Sequence, residues 1–317
     1  MTEQIKIPAG WTAQNIADQS GKKFLITGAT SGLGLETARV LAEKGADVTI
    51  TARSTAKADI AKKYIGRDVD LITLDLASLD SVRAAADSII ASKKIFDGVI
   101  LNAGVMATPY TTTVDGFELQ MATNHLGHFA LTGLILKQIN GRLVSLASQA
   151  HRMGSFGDGT IPEIKAQCLG EGKFSPWGAY GASKLANLLF IAEVERFRLR
   201  SKLPITPVAA HPGWSSTNLF KANSTKSSTL VQERAAALMT QVFAQSAAQG
   251  ALPTLAAATF PGLIGNSYVG PSGVGEMRGT PRLVRARSLA YDQTLAANLW
   301  NVSVELTGVA WENSSHA

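Results

Sequence analysis

Apolar runs of strand length alternate with helix-spaced stretches through the first half of the chain, and turn residues separate them. Lys23-Phe-Leu-Ile-Thr27 is a compact apolar run, Gly28-Ala-Thr-Ser-Gly32-Leu-Gly34 follows at once, and Leu35 to Lys44 has helical spacing. Gly45 ends that helix, and Asp47-Val-Thr-Ile-Thr51 predicts a second strand. Val69 to Leu74 predicts a third strand, closed by Asp75-Leu76, and Ser78 then caps a helix running to about Lys93. Gly98 to Leu101 predicts a fourth strand that ends in Asn102-Ala103-Gly104. A long helical stretch covers roughly Phe117 to Gln138, and Arg142 to Ala147 predicts a fifth strand leading to Ser148. This alternation implies an α/β fold: a doubly wound parallel sheet of Rossmann type with helices on both faces. It forms a single domain over residues 23–317 behind an N-terminal arm, residues 1–22.

In such a sheet ligands sit at the carboxyl ends of the strands. Gly28, Arg53, Asp75, Asn102 and Ser148 all fall there. The glycine turn Gly28, Thr30, Ser31, Gly32, Leu33, Gly34 lies between a strand and a helix, where the missing side chains let backbone approach a pyrophosphate and the helix amides stabilise its charge. After the second strand an acid would bind a ribose 2′-hydroxyl, whereas a cation accommodates a 2′-phosphate. Thr51-Ala52-Arg53-Ser54 holds no acid, so NADP(H) is preferred, with Arg53 on the phosphate and NAD(H) left open.

Further along, Tyr180 and Lys184 share one face of a helix. Proton transfer near neutrality needs a tyrosine pKa brought from about 10 toward 7, worth roughly 4 kcal/mol. A cation ~4 Å away supplies on the order of 4 kcal/mol at the effective dielectric of a protein site, so Lys184 is about strong enough. The plainer alternative is a packed ring beside a solvated amine.

Composition narrows the classes. With 45% hydrophobic and 17% charged residues and 29 glycines, the 317-residue chain reads as a globular enzyme rich in turns. One cysteine, Cys168, excludes an internal disulfide, and its lack of His or Cys partners at ligand spacing leaves no metal expected. The net charge of +6 is a mild excess. Arg278, Arg282, Arg285 and Arg287 cluster, but Pro281 interrupts them and no aromatic ladder follows, which points to solvated surface and no nucleic-acid partner. No run approaches the roughly 18 apolar residues of a membrane span, and the N-terminus has no signal pattern, so a cytoplasmic protein is expected. Val269 to Gly275 lacks the Lys-Ser/Thr of a phosphate loop and is expected to be a loop after the last strand; Ser288 to Thr307 is expected to be a terminal helix that packs on the domain or a partner subunit.

Taken together, Thr27-Gly28-x-x-x-Gly32-x-Gly34, Asp75, Asn102-Ala103-Gly104, Asn124, Ser148, Tyr180-x-x-x-Lys184, His211-Pro212-Gly213 and Thr217 resemble the short-chain dehydrogenase/reductase family over most of residues 23–217. Asn124-His-Leu-Gly-His-Phe129 and Ser183-Lys-Leu-Ala-Asn187 look like the branch containing retinol dehydrogenases and protochlorophyllide reductases. The resemblance implies that Tyr180 is the general acid/base and that Lys184 lowers its pKa and binds the nicotinamide ribose. It likewise implies that Ser148 holds the substrate oxygen and that Asn124 helps hold a water linking Lys184 to solvent. Asp75 and Leu76 would lie near the adenine, Asn102, Ala103 and Gly104 against the cofactor, and Pro212, Gly213 and Thr217 near the nicotinamide amide. His125, His128 and His151 read as packing or surface histidines, and His211 as shaping its Pro-Gly turn. Two segments are expected to bound the substrate: the glycine-rich insertion 149–179, as lid or wall, and the closing segment 214–250 with an Ala-rich helix over Leu230 to Ala248. Cys168 lies inside the insertion and does not match the reactive cysteine of the pigment reductases. The expected activity is interconversion of a bulky apolar aldehyde or ketone and its alcohol with NADP(H), in a protein for which a homo-oligomer is left open. A non-catalytic NADP(H)-sensing regulator is the alternative, and a methyltransferase would have no use for Tyr180, Lys184 or Arg53.

Overall fold

The computed structural model describes residues 6–214 and 246–311. Thr217, the predicted Ala-rich helix up to residue 245 and most of the closing segment lie outside the described residues.

Among the described residues are eight strands: β1 (Lys23–Ile26), β2 (Asp47–Ala52), β3 (Asp70–Thr73), β4 (Phe96–Leu101), β5 (Ile139–Leu146), β6 (Thr206–Ala210), β7 (Ser267–Pro271) and β8 (Pro281–Leu283). They form one sheet in the order β3-β2-β1-β4-β5-β6-β7-β8. Its inner strands β1, β4 and β6 are buried along most of their length because both faces are covered. β1 lies between β2 and β4, so the chain order reverses beside it and opens a crevice at its carboxyl end.

The expectation of a wholly parallel sheet needs one correction, since β8 pairs antiparallel to β7. Only residues 272–280 separate the two strands, too few for a crossover but enough for a hairpin, and Pro281 is tolerated because it opens an edge strand. Val269 to Pro271, expected in a terminal loop, therefore lies within a strand.

One layer holds α1 (Gly32–Glu43), α2 (Thr55–Ile65) and α8 (Ala247–Thr259). The N-terminal arm joins it, burying Ile7, Trp11 and Ile16 in the same core as Val40, Ala61 and Leu255. The other layer holds α3 (Leu79–Ala91), α5 (Gly127–Leu134), α7 (Pro176–Ser201) and α9 (Gln293–Thr307). On α3, Val82, Ala85, Ala86 and Ile89 make the buried stripe, and Ser78 caps the helix through the Ser81 amide. The long helical stretch after Phe117 starts as the single turn α4 (Leu119–Met121), widens into a π-helical turn over Ala122–Leu126 and continues as α5.

The insertion is anchored rather than loose. Gln149–Met153 form a 3-10 turn, and α6 (Ile161–Leu169) packs on α9 with Phe156, Ile164 and Cys168 buried in the main core. Of the arginine cluster expected at the surface, Arg287 is instead structural: its guanidinium donates to the carbonyls of Arg152 and Gly154. Asp292 caps α9 and separates it from a 3-10 turn at Ser288–Tyr291. Trp300 of α9 stacks among Phe129, Phe190, Phe197 and Trp311, so this helix packs on its own domain. No helix among the described residues is long and apolar enough to cross a membrane.

Candidate active site

The ends of β1 and β4 are stitched together by the motifs that follow them. Thr27 Oγ1 accepts the amides of Asn102 and Ala103 at 2.9 and 3.0 Å, and Asn102 Nδ2 donates to the carbonyls of Thr27 and Gly28 at 2.9 and 3.2 Å. This close approach requires glycine. A Cβ on Gly28, which has φ +66°, would stand 2.7 Å from Ala103 Cα, and one on Gly34 would stand 2.3 Å from Asn102 Nδ2. Ser31 makes no capping hydrogen bond through its side chain, so the first-turn amides of α1 stay available to an anion.

Above this cradle lies a cleft of about 470 Å³. Gly28, Thr30, Ser31, Gly32, Leu33 and Gly34 form its floor; Arg53, Asp75 and Leu76 one end; Asn102, Ala103 and Gly104 the middle; and Tyr180, Lys184 and Pro212 the other end. Asp75 also shapes its own turn, its Oδ1 accepting the Ala77 amide at 3.0 Å. Three of the predicted residues that are described are not in the lining: Ser148, the polar neighbour of Tyr180; Asn124, which binds the Val105 backbone; and Gly213, which follows Pro212. Lys57, in the first turn of α2, lines the cleft with Arg53 and was not singled out from sequence. Its spacing of four from Arg53 was the available signal. Glycine-made clearance, helix amides and two cations at one end suit an extended phosphate-bearing ligand.

At the other end, Ser175 caps α7 through the Gly178 amide and Pro176 occupies its first turn, which fixes the helix start one turn before Tyr180. Tyr180 and Lys184 are buried, 8% and 5% exposed. Ser148 is the polar neighbour of the Tyr180 phenol and favours its ionised form, and Ser148 Oγ accepts the Ala150 amide at 3.2 Å. Lys184 Nζ donates to the Leu146 carbonyl at 2.9 Å, which Asn187 Nδ2 also reaches at 2.9 Å. The ammonium lies 5.7 Å from the Tyr180 ring centre.

These distances correct the expected electrostatics. Burial raises the Tyr180 pKa above its ordinary value, and Ser148 opposes that only in part. Burial likewise brings Lys184 down to about 8. The anticipated lowering of the phenol by Lys184 is absent: desolvation dominates, because the dry environment penalises the phenolate, and only Ser148 opposes it.

Asn124 sits in the π-turn with its side chain fully engaged: Oδ1 accepts the Val105 amide at 2.8 Å, and Nδ2 donates to the Val105 carbonyl and Ser183 Oγ, both at 2.9 Å. Its own carbonyl meets His128 Nδ1 at 3.1 Å. That nitrogen must then carry the proton, so His128 Nε2 accepts from Thr27 Oγ1 at 2.9 Å. A buried, neutral imidazole thus ties the Asn124 turn to the β1 and β4 ends; burial holds its pKa at about 4. His125 and His151 are held at about 3 and about 4 by the same cause, in keeping with packing histidines. Burial pushes the Cys168 thiol up to about 12, which leaves it inert.

A doubly wound sheet with this cradle at its switch point and a buried Tyr-Lys pair beside it defines a Rossmann-type dinucleotide protein. Comparison with known proteins gives the family. The short chain dehydrogenase model matches residues 22–160. Mouse retinol dehydrogenase 12 is 36% identical over 319 residues, 97% of this chain and 93% of that protein. The short-chain dehydrogenase TIC 32 B, chloroplastic, of Brassica napus is 35% identical, with 93% and 92% covered. A crystal structure of an uncharacterized protein from Mycobacterium paratuberculosis shares 38% identity and a TM-score of 0.80, with 96% of this chain and 100% of that one covered. The chain belongs to the short-chain dehydrogenase family.

Proposed function

We propose that the protein is an NADP(H)-dependent oxidoreductase that interconverts a bulky apolar aldehyde or ketone and its alcohol. The observation that carries this reading is the placement of Tyr180 and Lys184, four residues apart on α7, in the wall of the phosphate-fitting cleft, with Ser148 beside the phenol. A regulator that only senses cofactor would have no need of a proton donor there. Arg53 and Lys57 favour the 2′-phosphorylated cofactor, consistent with the NADP complex of Pseudomonas aeruginosa RhlG, which shares this fold at 19% identity.

When bound, the nicotinamide supplies or accepts the hydride. Ser148 holds the substrate oxygen, and Tyr180 gives it a proton in reduction or takes one in oxidation. Lys184 stays charged below pH of about 8 and fixes the ribose beside the phenol. Asp75 and Leu76 would border the adenine, and Asn102, Ala103 and Gly104 would support the cofactor. Pro212 and Gly213 would hold the nicotinamide amide. Asn124 acts by holding the Val105 backbone and Ser183 under the site. Because burial keeps the phenol protonated at neutral pH, the resting site is set for reduction.

An apolar substrate fits the surroundings of the phenol. Met106, Ala107 and Ala150 pack with Tyr180, and Trp177 stands edge-on to its ring at 6.1 Å between centres. The retinol dehydrogenases among the relatives are named for an alcohol of that kind. The test is the loss of NADPH absorbance with a panel of apolar carbonyls, compared between wild type and Tyr180→Phe. Equal turnover in the two would defeat the reading.

A further inference from the structure

The loop between β7 and β8 carries a charged side chain that the chemistry above does not use. Glu276 has φ +56°, in the left-handed region that disfavours a glutamate, yet its side chain turns inward and is only 14% exposed. Its Oε2 receives two hydrogen bonds, from His211 Nε2 at 3.0 Å and from Gln149 Nε2 at 2.5 Å. The fully buried His211 is a defined donor, because its Nδ1 accepts the Gly213 amide at 3.2 Å and the ring proton must then lie on Nε2. Space for the ring exists only because residue 270 of β7 is glycine: a Cβ there would stand 2.1 Å from His211 Nε2. Arg152 completes the group, 3.9 Å from Glu276 Oε1 and donating to Gln149 Oε1 at 2.7 Å. The same loop accepts the Trp214 amide at the Met277 carbonyl, 2.8 Å away. His211 holds the carboxyl below its ordinary pKa, so the group is ionised at neutral pH.

One carboxylate thereby ties together the segments that leave β5, β6 and β7. Gln149 is the neighbour of Ser148, and His211 the neighbour of Pro212, so both segments feed the reacting end of the cleft from opposite sides.

We propose that Glu276 is a positioning residue of the active site: it clasps the His211–Gly213 turn to the Ser148–Gln149 segment and so sets the nicotinamide side of the cleft against the substrate-oxygen side. This rests on the oxidoreductase reading for its catalytic consequence, but the clasp itself is observable without turnover.

The experiment pairs hydrogen exchange with kinetics on the full chain. Glu276→Gly removes the clasp while relieving the left-handed backbone; residues 211–214 and 148–152 should exchange about tenfold faster or more, and kcat/KM with NADPH should fall by about tenfold or more. Glu276→Gln keeps an acceptor oxygen and should recover most of both. Wild-type exchange in Glu276→Gly, or fast exchange with undiminished kcat/KM, overturns the proposal. If Glu276→Gly does not fold, Glu276→Asp decides, since it keeps the charge one methylene short; normal exchange and turnover there also overturn it. A wild type that turns over no carbonyl sinks the oxidoreductase reading instead, and exchange alone then decides the clasp.

Discussion

The two ends of the cleft are built from different materials. The phosphate end is mostly backbone: glycines at 28 and 34, the first-turn amides of α1 and the carbonyls that Asn102 binds, all local to β1, α1 and β4. The Tyr180 end is side chains brought from α7, the end of β5, the β6 turn and the π-turn, with Tyr180, Lys184 and Asn124 buried and Ser148 and Pro212 half-buried. A backbone site works by shape and tolerates substitution around it. A buried side-chain site works by electrostatics, and every charge in it is costly to keep.

The largest effect should therefore come from the side-chain end. Tyr180→Phe deletes the proposed proton donor but keeps the ring packed against Met106 and Trp177, and kcat/KM should drop by roughly 10² to 10⁴ with little change in melting temperature. The wild-type pH profile should be asymmetric as well. A phenol raised by burial stays protonated through neutrality, so carbonyl reduction should be level from pH 6 to 8, whereas alcohol oxidation should climb with pH above that. An oxidation rate that is flat over the alkaline range would mean that the phenol is acidic after all.

Lys184 gives the next effect, on stability. Its pKa is brought from 10.5 to about 8 in the folded protein. Below pH 8 both folded and unfolded chains carry the charge, and the folded one bears the full burial cost. Between about 8 and 10.5 the unfolded chain binds more proton, so cofactor-free stability should rise with pH in that window. Lys184→Met removes the cost and leaves the Leu146 carbonyl bonded to Asn187, so it should be more stable at pH 7, by at most roughly 3 kcal/mol, while losing activity. Denaturant melts of both proteins at pH 7 and 10 check this; a destabilised methionine variant would show that the ammonium contributes net stability.

The same contrast explains what could be read in advance. The glycine turn, Asn102-Ala103-Gly104 and Arg53 lie at strand ends within a regular alternation, so period and turn chemistry place them without tertiary information. Tyr180 and Lys184 were legible as a pair because helical spacing is local. Their pKa values were not, because desolvation is set by what packs around them from elsewhere in the chain, Met106 and Ala150 on Tyr180 and the end of β5 on Lys184. Glu276 and His211 are 65 positions apart, and nothing in the glycine-rich run around Val274 signals that its glutamate turns inward. The antiparallel β8 was missed for a related reason: three residues opened by a proline carry too little pattern to stand out as a strand.

Gly34→Ala probes the backbone end. A methyl there meets Asn102 Nδ2 at 2.3 Å and the Gly28 carbonyl at 2.6 Å, neither of which can swing away without releasing the β1–β4 stitching. Overpacking of this kind costs about 1–3 kcal/mol in stability, and NADPH affinity should weaken alongside, read by thermal melting and by cofactor fluorescence. Unchanged melting and affinity would mean that the cradle is looser than these contacts show.

The smallest effect should come from the cations at the far end. Arg53 and Lys57 are both exposed, so whatever they contribute to a 2′-phosphate is screened by solvent and salt. Arg53→Ala should weaken NADPH binding by a factor of roughly 3 to 10, the range of about 0.7–1.4 kcal/mol expected of an exposed charge-assisted contact, and Lys57→Ala by less. NADH lacks the phosphate, so its affinity should hardly move in either variant, and the NADPH loss should shrink as ionic strength rises. The double variant is the sharper test. If Arg53 and Lys57 bind one phosphate, the double variant should lose more than the two single losses added together, because in each single variant the remaining cation repositions toward it; strict additivity would place the two on different parts of the ligand, and equal losses for NADH would remove the 2′-phosphate from the account altogether.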